Sequence, residues 1–323
     1  MGGANCTTAF SPLLSLDATG ELMRRGFALV EARLSGLAVP ERPACLVAAV
    51  DPVGGGQVGW GWLDDPDPGS WVELGIGRHD SSGLCLTSDE GLSLRQALMI
   101  SGLTHDGCRM IRLLDLRSVL GMFDFEGTPH LSVLSDGPLR MRLANSLLFV
   151  VPIDDLLPGG RIAGYDEIRW PQPRRWVPIS SPERHVSSVS RSTRSTTMVS
   201  LRRSRAGRSP RDRGQSPRAG RLLFEGPAGA AEIEVDRVSL RTGVMVGRYP
   251  RCELSANNAP MSRYISRVHA VLLEVGERPR IFDPGSTNGI VVDDRPITAQ
   301  DLPGDRPSSF ELSDGETLTW LPG

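Results

Sequence analysis

A tract in which the chain can bury almost nothing constrains how everything else must fold. From residue 172 to residue 220 the sequence is dominated by Arg, Ser, Thr, Pro and Gly, with Arg191-Ser-Thr-Arg-Ser-Thr-Thr197 near its centre. So polar a stretch gains too little from apolar burial to offset the entropy lost on ordering, and it is predicted to be a disordered linker. It divides the 323 residues into two blocks, each large enough for one hydrophobic core. Charge is divided in the same way. Between residues 171 and 221 thirteen Arg stand against Glu183 and Asp212, a local charge of +11, so the rest of the chain carries −13 and the total of −2 conceals both. All 36 basic residues are Arg, which excludes Lys-dependent chemistry such as a Schiff base or a Walker-type phosphate loop.

Both blocks alternate short apolar runs with Gly, Pro, Asp and Ser. In the first, residues 45–50, 71–76, 97–100, 111–114 and 147–151 have strand length; in the second, residues 222–224, 232–235, 244–246, 269–273, 281–283, 289–292 and 317–320 do. Many short runs with frequent turn signals predict an all-β chain of two sandwiches. Upstream, Leu22, Phe27, Leu29, Val30 and Leu34 recur at near-helical spacing, so a short amphipathic helix is expected in an N-terminal extension. The expected organisation is an extension at 1–41, a sandwich at 42–154, a linker, mostly disordered and basic, at 155–220, and a sandwich at 221–323.

Four pieces follow one another in the second block: Val246-Gly247-Arg248, then Ser266-Arg267-Val268-His269-Ala270, then Phe282-Asp283-Pro284-Gly285-Ser286-Thr287-Asn288-Gly289, then Leu312-Ser313-Asp314-Gly315. Together they resemble the forkhead-associated (FHA) domain, a family of β-sandwiches that bind phosphothreonine peptides. A phosphothreonine presents nearly two negative charges and three strong acceptor oxygens, so its recognition needs a guanidinium, hydroxyl and backbone donors, and a preorganised loop. Arg248, Ser266 and Thr287 are of the right kind, and Asn288 can both donate to and accept from a peptide backbone. The resemblance implies that Arg248 and Ser266 contact the phosphate, that Arg267 and Thr287 flank it and that Asn288 holds the peptide main chain. It implies a bracing role for His269, with Gly247 and Gly289 permitting tight turns; Asp283 is expected to satisfy loop amides. Ser262-Arg263 imitates Ser266-Arg267 without the following His, and Arg263 is a secondary candidate.

The first block carries an eroded series: Ile76-Gly77-Arg78, Ser93-Leu94-Arg95-Gln96-Ala97, Asp115 to Gly121, and Leu134-Ser135-Asp136-Gly137. Four matched pieces in one order predict a second, degenerate FHA-like sandwich. Gln96 replaces the His, and Val119-Leu120 replaces Thr-Asn, which removes the peptide clamp; a scaffold or dimerisation role is expected there. In this register the first block has a closing strand through residue 151 that the second block lacks.

Gly54-Gly-Gly-Gln-Val-Gly59 fits a dinucleotide pattern, but Trp60 to Pro66 reads as a loop and not as the helix such a site requires. No grouping of His, Cys, Ser and Asp suggests an active site, so no enzyme, cofactor or metal is expected. The five cysteines are scattered, as free thiols would be, and no run reaches the roughly 18 apolar residues of a membrane span, so a cytoplasmic protein without membrane contact is expected. The linker allows two readings. Arg-rich surroundings make Thr193, Thr196 and Thr197 candidate sites for a Ser/Thr kinase, whose product an FHA domain of this chain or of a second copy would capture. Alternatively, +11 on a flexible tract is the binding element of a scaffold or nucleic-acid-associated protein.

Overall fold

The computed structural model describes residues 16–35, 40, 43–52, 56–67, 70–104, 107–157, 161–171, 174–175, 218–276 and 278–323. The expected linker from 176 to 217, with Thr193, Thr196 and Thr197, lies outside the described residues.

Helix α1 (Leu16–Leu34) places Met23, Phe27, Val30 and Leu34 on one stripe, and all four are buried. The first sandwich follows with β1 (Pro43–Val50), β2 (Val58–Asp64), β3 (Trp71–Gly77), β4 (Ala97–Leu103), β5 (Arg109–Asp115), β6 (Met122–Phe123), β7 (Pro129–His130), β8 (Ser132–Ser135), β9 (Leu139–Leu143) and β10 (Ser146–Pro152). One sheet runs β2-β1-β10-β9-β6-β7. The other runs β8-β5-β4-β3, with the short strands Arg174–Arg175 and Leu84–Cys85 at its edges. Residues 60–64, read from the sequence as loop, belong to β2 and pair with β1, so the glycine-rich run opens a strand.

Side chains of β1 and β10 alternate between two cores. Val47, Ala49, Leu148 and Val150 face the sandwich interior, while Leu46, Ala48, Leu147 and Phe149 meet α1. The helix comes so close that a Cβ on Gly26 would lie 2.5 Å from Leu147 Cδ1. Ile162, Tyr165, Ile168 and Trp170 close over the same helix, with Trp170 and Tyr165 at ring-centroid distances of 5.7 and 5.8 Å from Phe27. The folded block therefore runs past residue 155, where the linker was expected to begin. Two large aromatic rings give this stretch enough apolar area to dock.

The second sandwich contains β11 (Arg218–Gly226), β12 (Gly229–Asp236), a short helix α2 (Arg237–Thr242), β13 (Val244–Val246), β14 (Ala270–Val275), β15 (Arg278–Phe282), β16 (Ile290–Val292), β17 (Arg295–Ile297), β18 (Ala299–Asp301), β19 (Ser308–Ser313) and β20 (Glu316–Pro322). Its sheets run β12-β11-β20-β19-β16-β17 and β18-β15-β14-β13. Strand for strand, this is the order of the first sandwich with ten added to each number. The correspondence corrects one piece of the sequence register. Leu312 to Gly315 makes the β19–β20 hairpin, whose counterpart is the β9–β10 turn at Ala144-Asn145, whereas Leu134 to Gly137 is the end of β8 and the bend after it. No closing strand is missing, because β20 pairs with β11 as β10 pairs with β1. The shared Leu-Ser-Asp-Gly was a coincidence of turn chemistry, a composition that many hairpins and loops use.

The two sandwiches pack against each other through their four-stranded sheets. Leu98, Ile100, Leu114 and Leu116 of the first form one buried cluster with Met245, Val268, Val271, Leu273, Val275 and Phe282 of the second. Leu98 and Ile100 of β4 and Val271, Leu273 and Val275 of β14 point into this cluster, and Ala97, Met99, Ala270 and Leu272, alternating with them, fill their own sandwich cores. Polar contacts surround it: the Arg112 guanidinium donates to Glu274 O at 2.8 Å, Arg251 to Ser118 O at 2.9 Å, and Arg117 pairs with Glu253 at 2.6 Å. Burial pushes Arg112 down to about 10, still charged at neutral pH.

Candidate functional site

Arg248 follows the last residues of β13, and Gly247 is there because the chain passes too close for a side chain. A Cβ on Gly247 would lie 2.4 Å from Arg267 O. That approach lets Arg248 N donate to Ser266 O at 3.0 Å and Tyr249 N donate to Arg267 O at 2.9 Å. The Arg248 Nε donates to Ile265 O, fixing the side chain over the 262–268 loop. Arg248 and Arg267 are exposed, and neither forms an ion pair among the described residues.

Ser266 is buried and joins this loop to the next. Its Oγ accepts from Thr287 N at 2.9 Å and donates to Thr287 Oγ1 at 3.3 Å. The 283–289 turn is held by Asp283, whose carboxylate accepts from Ser286 N and Oγ, and it leaves through Gly289 at φ +79°, a conformation that favours glycine. Asn288 Nδ2 donates to Tyr264 O at 3.1 Å, with both side chains exposed. Arg248, Ser266, Arg267, Thr287 and Asn288 thus stand on loops that touch one another at one end of the sandwich, three of them linked by direct hydrogen bonds.

His269 lies behind them with no exposed surface. Nδ1 accepts from Ser266 N at 3.1 Å and Nε2–H donates to Gly289 O at 2.9 Å, so one ring ties both loops together and is the neutral Nε2–H tautomer. Burial lowers its pKa below the usual 6.5. A brace that sequence reasoning passed over is Glu316, the residue after Leu312 to Gly315. Its buried carboxylate accepts from Ser262 N at 2.7 Å and from the hydroxyls of Ser262 and Ser313. Burial alone would raise this carboxyl, but those donors overcome it and hold it below the ordinary glutamate value. Ser262, not Arg263, is what matters in the imitation motif: Arg263 sits exposed over the ring of Tyr264.

The same positions in the first sandwich reproduce the scaffold and omit the donors. Arg78 N donates to Ser93 O, and Arg78 Nε donates to Leu92 O at 2.8 Å. Gln96 substitutes for the histidine atom for atom: Oε1 accepts from Ser93 N at 3.0 Å and Nε2 donates to Gly121 O at 3.1 Å. Where the second sandwich has Thr287 and Asn288, this one has Val119, which is 63% exposed, and Leu120, which packs on the core.

Since an amide makes both of the imidazole's bonds here, His269→Gln is expected to fold and to keep the loops in place. The parent should lose stability as pH falls below 6.5, because the unfolded chain then takes up a proton that buried His269 refuses. Thermal melts at pH 7.5, 6.5 and 5.5 should show a smaller drop for the variant. An unchanged pH slope would remove His269 as its source.

A family model of the FHA domain matches residues 244–320. Among solved structures, the chain is similar to the Slr1951 protein from Synechocystis sp., at 20% identity over 33% of this chain and 98% of that one, with a TM-score of 0.27. It is similar to the FHA domain of the CT664 protein from Chlamydia trachomatis, at 28% identity over 32% and 97%, with a TM-score of 0.25. It is also similar to Mycobacterium tuberculosis EmbR in complex with a low-affinity phosphopeptide, at 22% identity over 32% of this chain and 25% of that one, with a TM-score of 0.25. A search of curated proteins finds no significant match.

Proposed function

We propose that this chain, whose residues 244–320 match a family model of the FHA domain, is a phosphothreonine-peptide-binding adaptor in Ser/Thr kinase signalling. The observation that carries the reading is the group at the end of the second sandwich. An exposed Arg248 with no carboxylate partner stands over a loop whose Ser266 and Thr287 hydroxyls are already oriented by each other. A dianionic ester between them would gain a charge-assisted pair and short hydroxyl donors at little ordering cost. Asn288, anchored through Nδ2, keeps its carbonyl oxygen for a peptide N–H. Arg248 and Ser266 hold the phosphate in this reading, Arg267 and Thr287 flank it, and Gly247, His269, Asp283 and Gly289 keep the loops in shape. The chain recognises and does not catalyse.

The first sandwich is, in the same reading, an FHA-like copy that keeps the frame and has lost the clamp. The partners are a phosphothreonine-containing protein and the kinase that makes it. A phosphorylated Thr193, Thr196 or Thr197 would be a ligand for this chain or a second copy. The setting is the cytoplasm; no helix among the described residues is long and apolar enough to cross a membrane.

A matched peptide series carrying phosphothreonine, phosphoserine or threonine, titrated against the full chain by fluorescence anisotropy, tests the reading. The phosphothreonine form should bind at least tenfold more tightly than the unmodified one, and replacing the nine arginines between residues 184 and 213 by glutamine should not change that ratio. Equal binding of all three peptides, or binding that vanishes with the linker arginines, would favour the linker as the binding element.

A further inference from the structure

We propose that Arg95, from the first sandwich, is a specificity residue of the phosphopeptide site on the second, reading an acidic residue beside the phosphothreonine. The inference rests on the phosphothreonine reading and adds a residue from outside the FHA segment.

Packing of the two sheets brings the start of β4 against the 283–289 turn. A Cβ on Gly285 would meet Arg95 Nε at 3.6 Å and Ser81 Oγ at 3.5 Å, and a Cβ on Gly75 would lie 3.9 Å from Pro284 O. The counterpart of Gly285 in the first sandwich is Arg117, which also has positive φ and whose side chain crosses the interface to Glu253. At Gly285 there is no side chain, and the Arg95 guanidinium takes that space instead.

Arg95 is not paired there as a structural charge would be. Its Nε is buried and has no hydrogen-bond partner among the described residues. The carboxylate whose charge acts on it is Asp283, whose two oxygens already serve Ser286. Arg267 adds a like charge to the same place, and burial together with that repulsion lowers the Arg95 pKa. Two guanidiniums, one from each sandwich, therefore repel each other near a carboxylate that Ser286 already engages. Keeping a half-buried cation beside a like charge costs stability, and the equivalent position in the second sandwich is the buried, uncharged Val268. An anion supplied from outside would match both charges. The phosphate is already served by Arg248, Ser266 and Thr287, so the remaining anion is a carboxylate of the same peptide.

Two phosphothreonine peptides, identical except for Asp or Ala placed in turn at each position within four residues of the phosphothreonine, test this against the full chain. The parent should prefer Asp at one position by about fivefold, more at low salt than at high. Arg95→Gln should abolish that preference and leave the all-Ala peptide bound as tightly as before. Arg117→Gln, which removes an ion pair across the same interface but away from the site, should keep it. The proposal is overturned if the parent shows no preference, if Arg95→Gln retains it, or if Arg95→Gln weakens both peptides equally. Insensitivity of all binding to Arg248→Ala would instead place the failure in the phosphothreonine reading itself.

Discussion

Arg248→Ala should weaken phosphothreonine-peptide binding by a factor of at least about 30 while leaving the fold intact. The side chain is exposed at a strand end, and its only bond among the described residues is Nε to Ile265 O, so its loss removes no core contact. Its removal would leave a bound dianion without its guanidinium, and truncating one partner of a close charge pair costs about 2–5 kcal/mol. The lower end of that range is about thirtyfold and the upper end several thousandfold. Arg78→Ala is the internal control. Arg78 makes the same bond, to Leu92 O, but its sandwich has Val119 and Leu120, whose side chains donate nothing, at the positions of Thr287 and Asn288. Isothermal titration of both variants with one phosphothreonine peptide checks the pair. Parental affinity in Arg248→Ala, or an equal loss in Arg78→Ala, would show that the phosphate is held elsewhere.

The second large effect concerns the interface. Leu98→Asp puts a carboxylate among Leu114, Val271 and Phe282 with no basic partner in the apolar cluster. Burying an unpaired charge costs several kcal/mol, so the two sheets should part before the charge stays buried. Each sandwich has its own core, among the described residues 21 buried apolar side chains in the first and 18 in the second, so separation need not unfold either one. Calorimetry should therefore show one unfolding transition become two. Phosphopeptide binding through Arg248 should survive, and the preference for an acidic flank, which needs Arg95 beside Gly285, should disappear. A single transition at the parental temperature would mean that the cluster contributes nothing to cohesion.

Much of the site was readable from residue order alone, for a physical reason. Gly247, His269, Asp283 and Gly289 answer local demands: a close backbone approach, two loops to be tied, amides to be satisfied and a left-handed turn. Such demands restrict residue type within a few positions, so they leave a pattern. The lack of hydroxyl and amide side chains at the equivalent turn of the first sandwich was legible in the same way, at Val119 and Leu120. Turn composition was a poorer guide. Leu134 to Gly137 and Leu312 to Gly315 are identical in sequence, but one ends β8 and the other joins β19 to β20. Glu316 went unnoticed because Ser262, which makes two of its hydrogen bonds, lies 54 residues earlier in the chain.

The residue sequence by itself determined that there are two β-sandwiches, a basic tract between them, and one set of loops equipped with hydroxyls, an amide and a guanidinium. Only the tertiary structure decided that the sandwiches share a buried face and that Arg95 arrives beside Gly285. Alternation along β4 and β14 shows that both faces are apolar, but an apolar face does not name what will cover it. That choice is made by shape and charge across more than a hundred residues of separation, and no local preference encodes it.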